Sequence, residues 1–194
     1  ALSGALRYFS LGEVATGEYD EKGEPINTIN PYEMAVDVAY SRMLSETFSA
    51  AVALRFIYSD LAWNEAEDIT PGSAFAADIA FYYNNYILLG QRECMLGLGA
   101  NISNIGSKIS YDEGNTSEFV PTNFRIGASL LIPIDEYNTI SFSADANKLL
   151  VPTRPMQLEE ESDQDYQDRL QKDYYDLSPI TGIFKSFNDA PGGT

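Results

Sequence analysis

The sequence predicts an all-β fold: a transmembrane antiparallel up-and-down β-barrel with long extracellular loops and a short loop helix. Three observations predict it. Apolar residues recur at every second position through about seven segments. The apolar rows often end in an aromatic residue, where an interfacial girdle would lie. The connections alternate between tight turns and long polar stretches, as periplasmic turns and extracellular loops do.

The segments follow in order. Leu2 to Leu11 reads as a strand, with faces less clean than the rest. The next row is Met34, Val36, Val38 and Tyr40, backed by Ala35, Asp37, Ala39 and Ser41. Val52, Leu54, Phe56 and Tyr58 are backed by Ala51, Ala53, Arg55 and Ile57. Phe75 to Tyr83, Leu96 to Ile102, Phe124 to Ile132 and Ile140 to Ala146 repeat the pattern. The second face carries Ala, Gly, Ser and Asn with isolated Asp or Arg. A soluble sandwich would expect Lys, Glu and Thr on its outer face; this face suits a crowded lumen.

Leu44 to Phe48 and Ile134 to Asn138 are tight turns. The stretch 84–94, with Asn84-Asn85, is expected as a third connection on that side. Gly12 to Pro31, Asp60 to Gly72, Gly106 to Thr122 and Leu150 onward are the long segments. About 20 of the 29 acidic residues fall in these four. Solvation of the loops explains that charge; an interaction surface, or weak calcium binding at Glu159-Glu160-Glu161-Ser162-Asp163, is the sharper reading. No EF-hand spacing supports calcium.

Both faces keep their parity across the first tight turn, so its loop is odd. Centring it on Glu46 sets Asp37 opposite Arg55. Centring the second on Glu136 sets Arg125 opposite Asn147 and diagonal to Asp145; centring it on Asp135 makes Arg125 and Asp145 partners. A charge on a lipid face at mid-bilayer costs roughly 2–4 kcal/mol. Paired across strands in a solvated lumen, the same charges stabilise by less than about 1 kcal/mol. Asp37, Arg55, Asp78, Arg125, Asp145 and Asn147 are therefore assigned to a lumen network. A structural ion-pair network is favoured over a ligand path, and no nucleophile accompanies the carboxylates for acid–base chemistry.

From Leu150 the alternation stops, and residues 150–194 read as a long acidic extracellular loop with a helical segment. Tyr166, Leu170 and Tyr174 have helical spacing. Ser178 with Pro179 reads as an N-cap followed by Pro at the first helical position. Ile180, Ile183, Phe184 and Phe187 then share one helical face, which either packs over the barrel mouth or meets a partner. Asp189-Ala190-Pro191-Gly192-Gly193 is expected to end that helix.

Composition excludes several functions. The chain of 194 residues has 12 Lys plus Arg against 29 Asp plus Glu, a formal net charge of -17. Such a charge repels nucleic acid. There is no histidine, so histidine-ligated zinc and His-based catalysis are excluded within these residues. Cys94 is the lone cysteine, so no internal disulfide forms. No stretch approaches 18 consecutive apolar residues, which excludes a transmembrane helix. No signal peptide is recognisable, and ALSGALRYFS reads like the middle of a strand. The chain is accordingly expected to be an interior portion of a longer protein, a single partial barrel domain over 1–194. No cofactor, metal site or enzymatic activity is expected.

Several segments carry a family resemblance: LRYFSLGEV, YSRMLSETFSAAVALRFIYSDLA, ANISNIGSKISYD, EFVPTNFRIGASLLIPIDEYN, ANKLLVPT and GIFKSFNDAPGG. Together they resemble the PorV family of type IX secretion outer-membrane proteins of Bacteroidetes, within the wider FadL-like barrels. The resemblance implies a fourteen-stranded barrel, of which these strands would be about half. It also implies a non-enzymatic role: binding C-terminal signal domains of secreted cargo and carrying them from the translocon barrel, SprA or Sov, to the PorU sortase attachment complex. It implies an integral bacterial outer-membrane location with extracellular loops. In that picture Ile180, Ile183, Phe184 and Phe187 are candidate partner contacts. Two other readings compete. A FadL-like transporter of fatty acids or other hydrophobic small molecules would need an apolar lumen pocket. A lipid A deacylase would need the histidine that these residues lack.

Overall fold

In the computed structural model, residues 1–189 are described except 16, 18, 19, 21, 62–68, 113 and 115. Seven long strands form one antiparallel sheet: β1 (Leu2–Ser10), β4 (Tyr32–Met43), β5 (Phe48–Asp60), β6 (Gly72–Leu89), β7 (Arg92–Gly106), β8 (Asn123–Pro133) and β9 (Thr139–Leu149). They lie in that order across the sheet. Each predicted alternating segment is one of them. A separate small hairpin, β2 (Val14–Ala15) with β3 (Thr28–Ile29), sits in the first long connection. The strands β1 and β9 are the sheet edges and do not pair with one another.

The registers follow from the turns. The first tight hairpin pairs Asp37 with Arg55, the alignment centred on Glu46. The second pairs Arg125 with Asn147, the alignment centred on Glu136 rather than Asp135. Both turns close identically. The N–H groups of Leu44 and Ser45 donate to the Phe48 carbonyl, and those of Ile134 and Asp135 donate to the Asn138 carbonyl. The Asn138 side-chain amide donates to Asp135 Oδ1 at 2.9 Å, as do the Tyr137 and Asn138 backbone amides at 2.8 Å, and together they hold the Asp135 carboxyl below the usual range.

The third connection differs from expectation. Asn84 and Asn85 do not turn; they pair with Gly97 and Leu96, and β6 continues to Leu89. The turn is Gly90-Gln91, with Gly90 at φ 67°. Glycine supplies the positive φ that a two-residue hairpin requires, at no steric cost. Asn-Asn is poor in strands on propensity alone, but long neighbouring strands overrode it here.

Between β6 and β7 the register slips: Ala77 faces Ile105 and Ile79 faces Ile102. The extra residue lies in β7, where Asn104 takes φ 58°. This bulge moves the apolar row of β7 from even to odd positions, so Ile105 continues it after Ile102.

The last segment folds onto the long-loop end. Helix α1 (Asp163–Leu170) runs into a π-helical turn (Gln171–Tyr175), and α2 (Pro179–Ser186) follows. Leu170 and Tyr174 are buried, as their helical spacing predicts. Ser162 caps α1 and Ser178 caps α2, each accepting a backbone N–H three residues on. Helix α2 ends at Ser186, before the expected terminator that starts at Asp189; residues 190–194 lie outside the described residues. Among the described residues, no helix is long and apolar enough to cross a membrane.

Candidate functional site

Two regions concentrate interacting polar groups. The first is the face of the sheet opposite the apolar rows. Arg55, from the middle of β5, is its centre. Its Nε donates to Asp37 Oδ1 at 2.5 Å and its Nη2 to Asp78 Oδ2 at 3.2 Å. Its Nη1 donates to Asn104 Oδ1. Asp37 is 7% exposed, and its second oxygen lies 3.1 Å from Arg7 Nη2 on β1. One row of charges thus ties β1, β4, β5, β6 and β7 together.

The six residues singled out from the sequence form two groups rather than one. Asp37, Arg55 and Asp78 belong to this first group. Arg125 Nε donates to Asn147 Oδ1 at 2.8 Å in a second group on β8 and β9. Asp145 stands by it without pairing with Arg125. It leans over Gly127 instead: a Cβ added there would meet Asp145 Oδ1 at 2.1 Å. A shallow cavity of about 290 Å³ lies beside the second group, lined by Tyr82, Gly97, Gly99, Arg125 and Asp145 among others.

Arg7 and Asn104 were not among the residues singled out. Arg7 was legible by parity, because Leu2, Leu6 and Tyr8 alternate with Ser3, Ala5 and Arg7. Asn104 was signalled only by the change of apolar parity between Ile102 and Ile105.

The second region is a crown at the long-loop end, where residues 150–189 pack on the 107–122 loop. Lys108 Nζ donates to the carbonyls of Tyr174 and Tyr175, at 3.0 and 2.8 Å, where the π-helical turn ends. A cation at a helix C-terminus complements its dipole. Burial lowers the Lys108 pKa, and Glu118 and Asp176 oppose that shift. The ammonium also lies 4.1 Å from the Phe119 ring centre. Phe119 meets Tyr174 edge-on at 5.2 Å. Tyr174 donates its hydroxyl to Glu118 at 2.9 Å.

Helix α2 turns its small side inward. Gly182 and Ser186 are buried, and a Cβ at Gly182 would lie 2.6 Å from Phe119. Ile180 and Phe184 point outward at 63% and 69% exposure; Phe187, the C-cap of α2, is 57% exposed with the Lys148 ammonium of β9 5.4 Å from its ring centre, and Ile183 is half-buried. Most of the apolar face read from the sequence therefore does not pack over the sheet. The acidic run before α1 is used locally. Glu161 binds Arg169 at 2.6 Å, which lowers its pKa, and Asp163 accepts from Gln157. Among the described residues no group of three or more potential metal ligands is gathered.

The apolar rows carry aromatic clusters toward both strand ends. Tyr8, Tyr32 and Tyr58 follow one another at 5.9 Å between ring centres toward the long loops. Phe48 stacks on Phe81 at 5.9 Å toward the short turns. Phe48 and Tyr58 are ten residues apart on β5, about 33 Å along the strand. A tilt of 35–45° would shorten that to about 25 Å, the height of an outer-membrane apolar band.

A protein-family model described as type IX secretion system protein PorV matches residues 1–156, a span that contains every strand of the sheet. No curated protein matches the chain.

Proposed function

The chain belongs to the PorV family of type IX secretion system proteins, and from that premise we propose that it is an outer-membrane barrel protein that receives cargo by its C-terminal signal domain and shuttles it from the translocon to the sortase attachment complex. On this reading the partners are the SprA or Sov translocon barrel, the cargo signal domains and the PorU complex. The seven strands are about half of a fourteen-stranded FadL-like barrel in the bacterial outer membrane. Their apolar rows with aromatic ends face lipid, and the charge network lies in the lumen. The free edges of β1 and β9 then pair with further strands, since no open sheet edge is tolerated in lipid. The protein is a carrier and not an enzyme.

One observation carries the cargo reading to particular residues. The Ile180, Phe184 and Phe187 stripe is apolar, exposed and fixed on a helix whose other side is packed. Aromatic anchors on a rigid element are what a protein interface uses for affinity. The loops that present it are on the side where cargo emerges. Replacing Phe184 and Phe187 with Ser should reduce co-purification of cargo signal domains at equal barrel abundance. Unchanged recovery would overturn this assignment.

A cavity supports the second reading, transport of a hydrophobic small molecule. Some 470 Å³ lies between the polar face and the 107–122 loop, lined by Phe9, Ile57, Phe119 and Val120 with Arg7 and Arg55. Its apolar walls suit a hydrophobic chain, with Glu33 and the already paired Arg7 and Arg55 at its polar side. Loss of lipid uptake with intact cargo recovery on replacing Phe9 of the cavity wall with Asp would favour transport over the shuttle.

A further inference from the structure

Asn104 engages every polar group it has. Two of them face the sheet: its backbone N–H donates to Asp78 Oδ1 at 2.7 Å, and its Oδ1 accepts from Arg55 Nη1. The other two face the 107–122 loop: its Nδ2 donates to the Pro121 carbonyl at 3.1 Å, and its carbonyl accepts from Thr122 Oγ1 at 2.7 Å. The left-handed backbone of the β7 bulge makes this fork. Asn adopts that conformation more readily than other side-chain-bearing residues do.

The loop side of the fork leads on to the crown. Thr122 is buried, and its carbonyl accepts from the Leu150 amide at 2.7 Å. Leu150 is the buried residue from which the last segment leaves β9. Phe119, three residues before Thr122, is the ring on which Lys108, Tyr174 and the site of Gly182 converge. A contiguous chain of hydrogen bonds therefore runs from Arg55 in the sheet through Asn104 and Thr122 to Leu150, where the crown segment begins.

We propose that Asn104 is a positioning residue that couples the Arg55 charge network to the crown, so that breaking the network on the sheet side loosens the crown. This goes beyond the secretion role, and its test does not depend on cargo. Energetic coupling needs a connected set of groups that each side can bias. Here that set is one side chain with two bonds in each direction.

The test uses the full-length protein in outer-membrane vesicles. Trypsin reports crown opening through Arg169, Lys172 and Lys185, and heat-modifiable gel mobility reports the folded barrel. Asn104→Gly keeps the backbone conformation and removes two hydrogen bonds. It should raise the cleavage rate in the crown by about tenfold at unchanged barrel mobility. Arg55→Gln should raise it in the same direction although Arg55 bonds only to Asp37, Asp78 and Asn104. Should Arg55→Gln fail to reach the membrane, Arg55→Lys replaces it, because it keeps the charge but cannot reach Asp37, Asp78 and Asn104 together. Wild-type cleavage in Asn104→Gly overturns the proposal. So does a loosened crown in Asn104→Gly with a wild-type crown in the Arg55 variant, since Asn104 would then be only a local loop staple.

Discussion

Tyr174 is a buried phenol held by a carboxylate, and that combination has a consequence for alkaline behaviour. Burial first, and the hydrogen bond to Glu118 second, raise its pKa well above the ordinary 10.0. A group whose folded pKa is raised contributes stability that is complete below its unfolded pKa and is lost as pH rises through the folded one. The crown should therefore weaken as pH rises above 10, where an unfolded Tyr174 would release its proton. Lys108 shifts downward, so its contribution runs the other way between its folded value and 10.5. Tyrosinate absorbance separates the two. Replacing Tyr174 with Phe should leave the amplitude reached by about pH 11 unchanged, because the native phenol is still protonated there. A loss equal to one tyrosine would contradict the buried assignment. At this scale much was legible. The facing of Asp37 and Arg55 follows from parity and an odd loop, and Arg7 follows from the same parity rule. Asn104 was harder, because a bulge is set by two strands at once and one sequence row shows only its shadow.

At the scale of elements, turn chemistry and caps were readable and helix orientation was not. Ser178 and Pro179 start α2 as their residue types require, and Gly90 turns where φ must be positive. Amphipathicity, however, says which residues share a face and not which face is buried. In α2 the large residues are outside because Phe119 and Pro152 leave room only for Gly182. Replacing Gly182 with Leu should displace the Phe119 ring and detach α2 from the loop. The expected readout is faster proteolysis at Lys185 with the sheet still folded by circular dichroism. Proteolysis at the wild-type rate would mean that the α2–Phe119 contact does not hold the helix. The Asn84-Asn85 pair taught the opposite lesson: a turn-forming dipeptide stays in a strand when a long neighbour, here β7, pairs through it.

The whole molecule was legible as a sheet from period-2 alternation, because each strand puts a different chemistry on each side. Whether that sheet faces lipid is a separate matter, and one-residue shifts test it. Leu54 lies on the apolar row at the middle of β5, and Ala53 faces the other way at the same depth, opposite Asp78. Leu54→Arg should cost roughly 2–4 kcal/mol in a membrane barrel. Ala53→Arg, with Asp78 across from it, should cost less. Outer-membrane abundance and urea midpoints in vesicles would rank them, and equal costs would argue against a lipid face. The placement of the crown could not be read in advance. It depends on long-range contacts such as Lys108 with the Tyr174 and Tyr175 carbonyls, which no periodicity encodes.

The two matching tight turns bear on how such a protein can change. The alignments of β4 with β5 and of β8 with β9 are each fixed within five residues, by a pair of amides converging on one carbonyl. Nothing at the opposite strand ends is needed to count residues into place. Insertions or deletions there alter what the molecule displays without sliding one strand against the next. In these two hairpins, surface variety and strand alignment are thereby made heritable separately, at opposite strand ends.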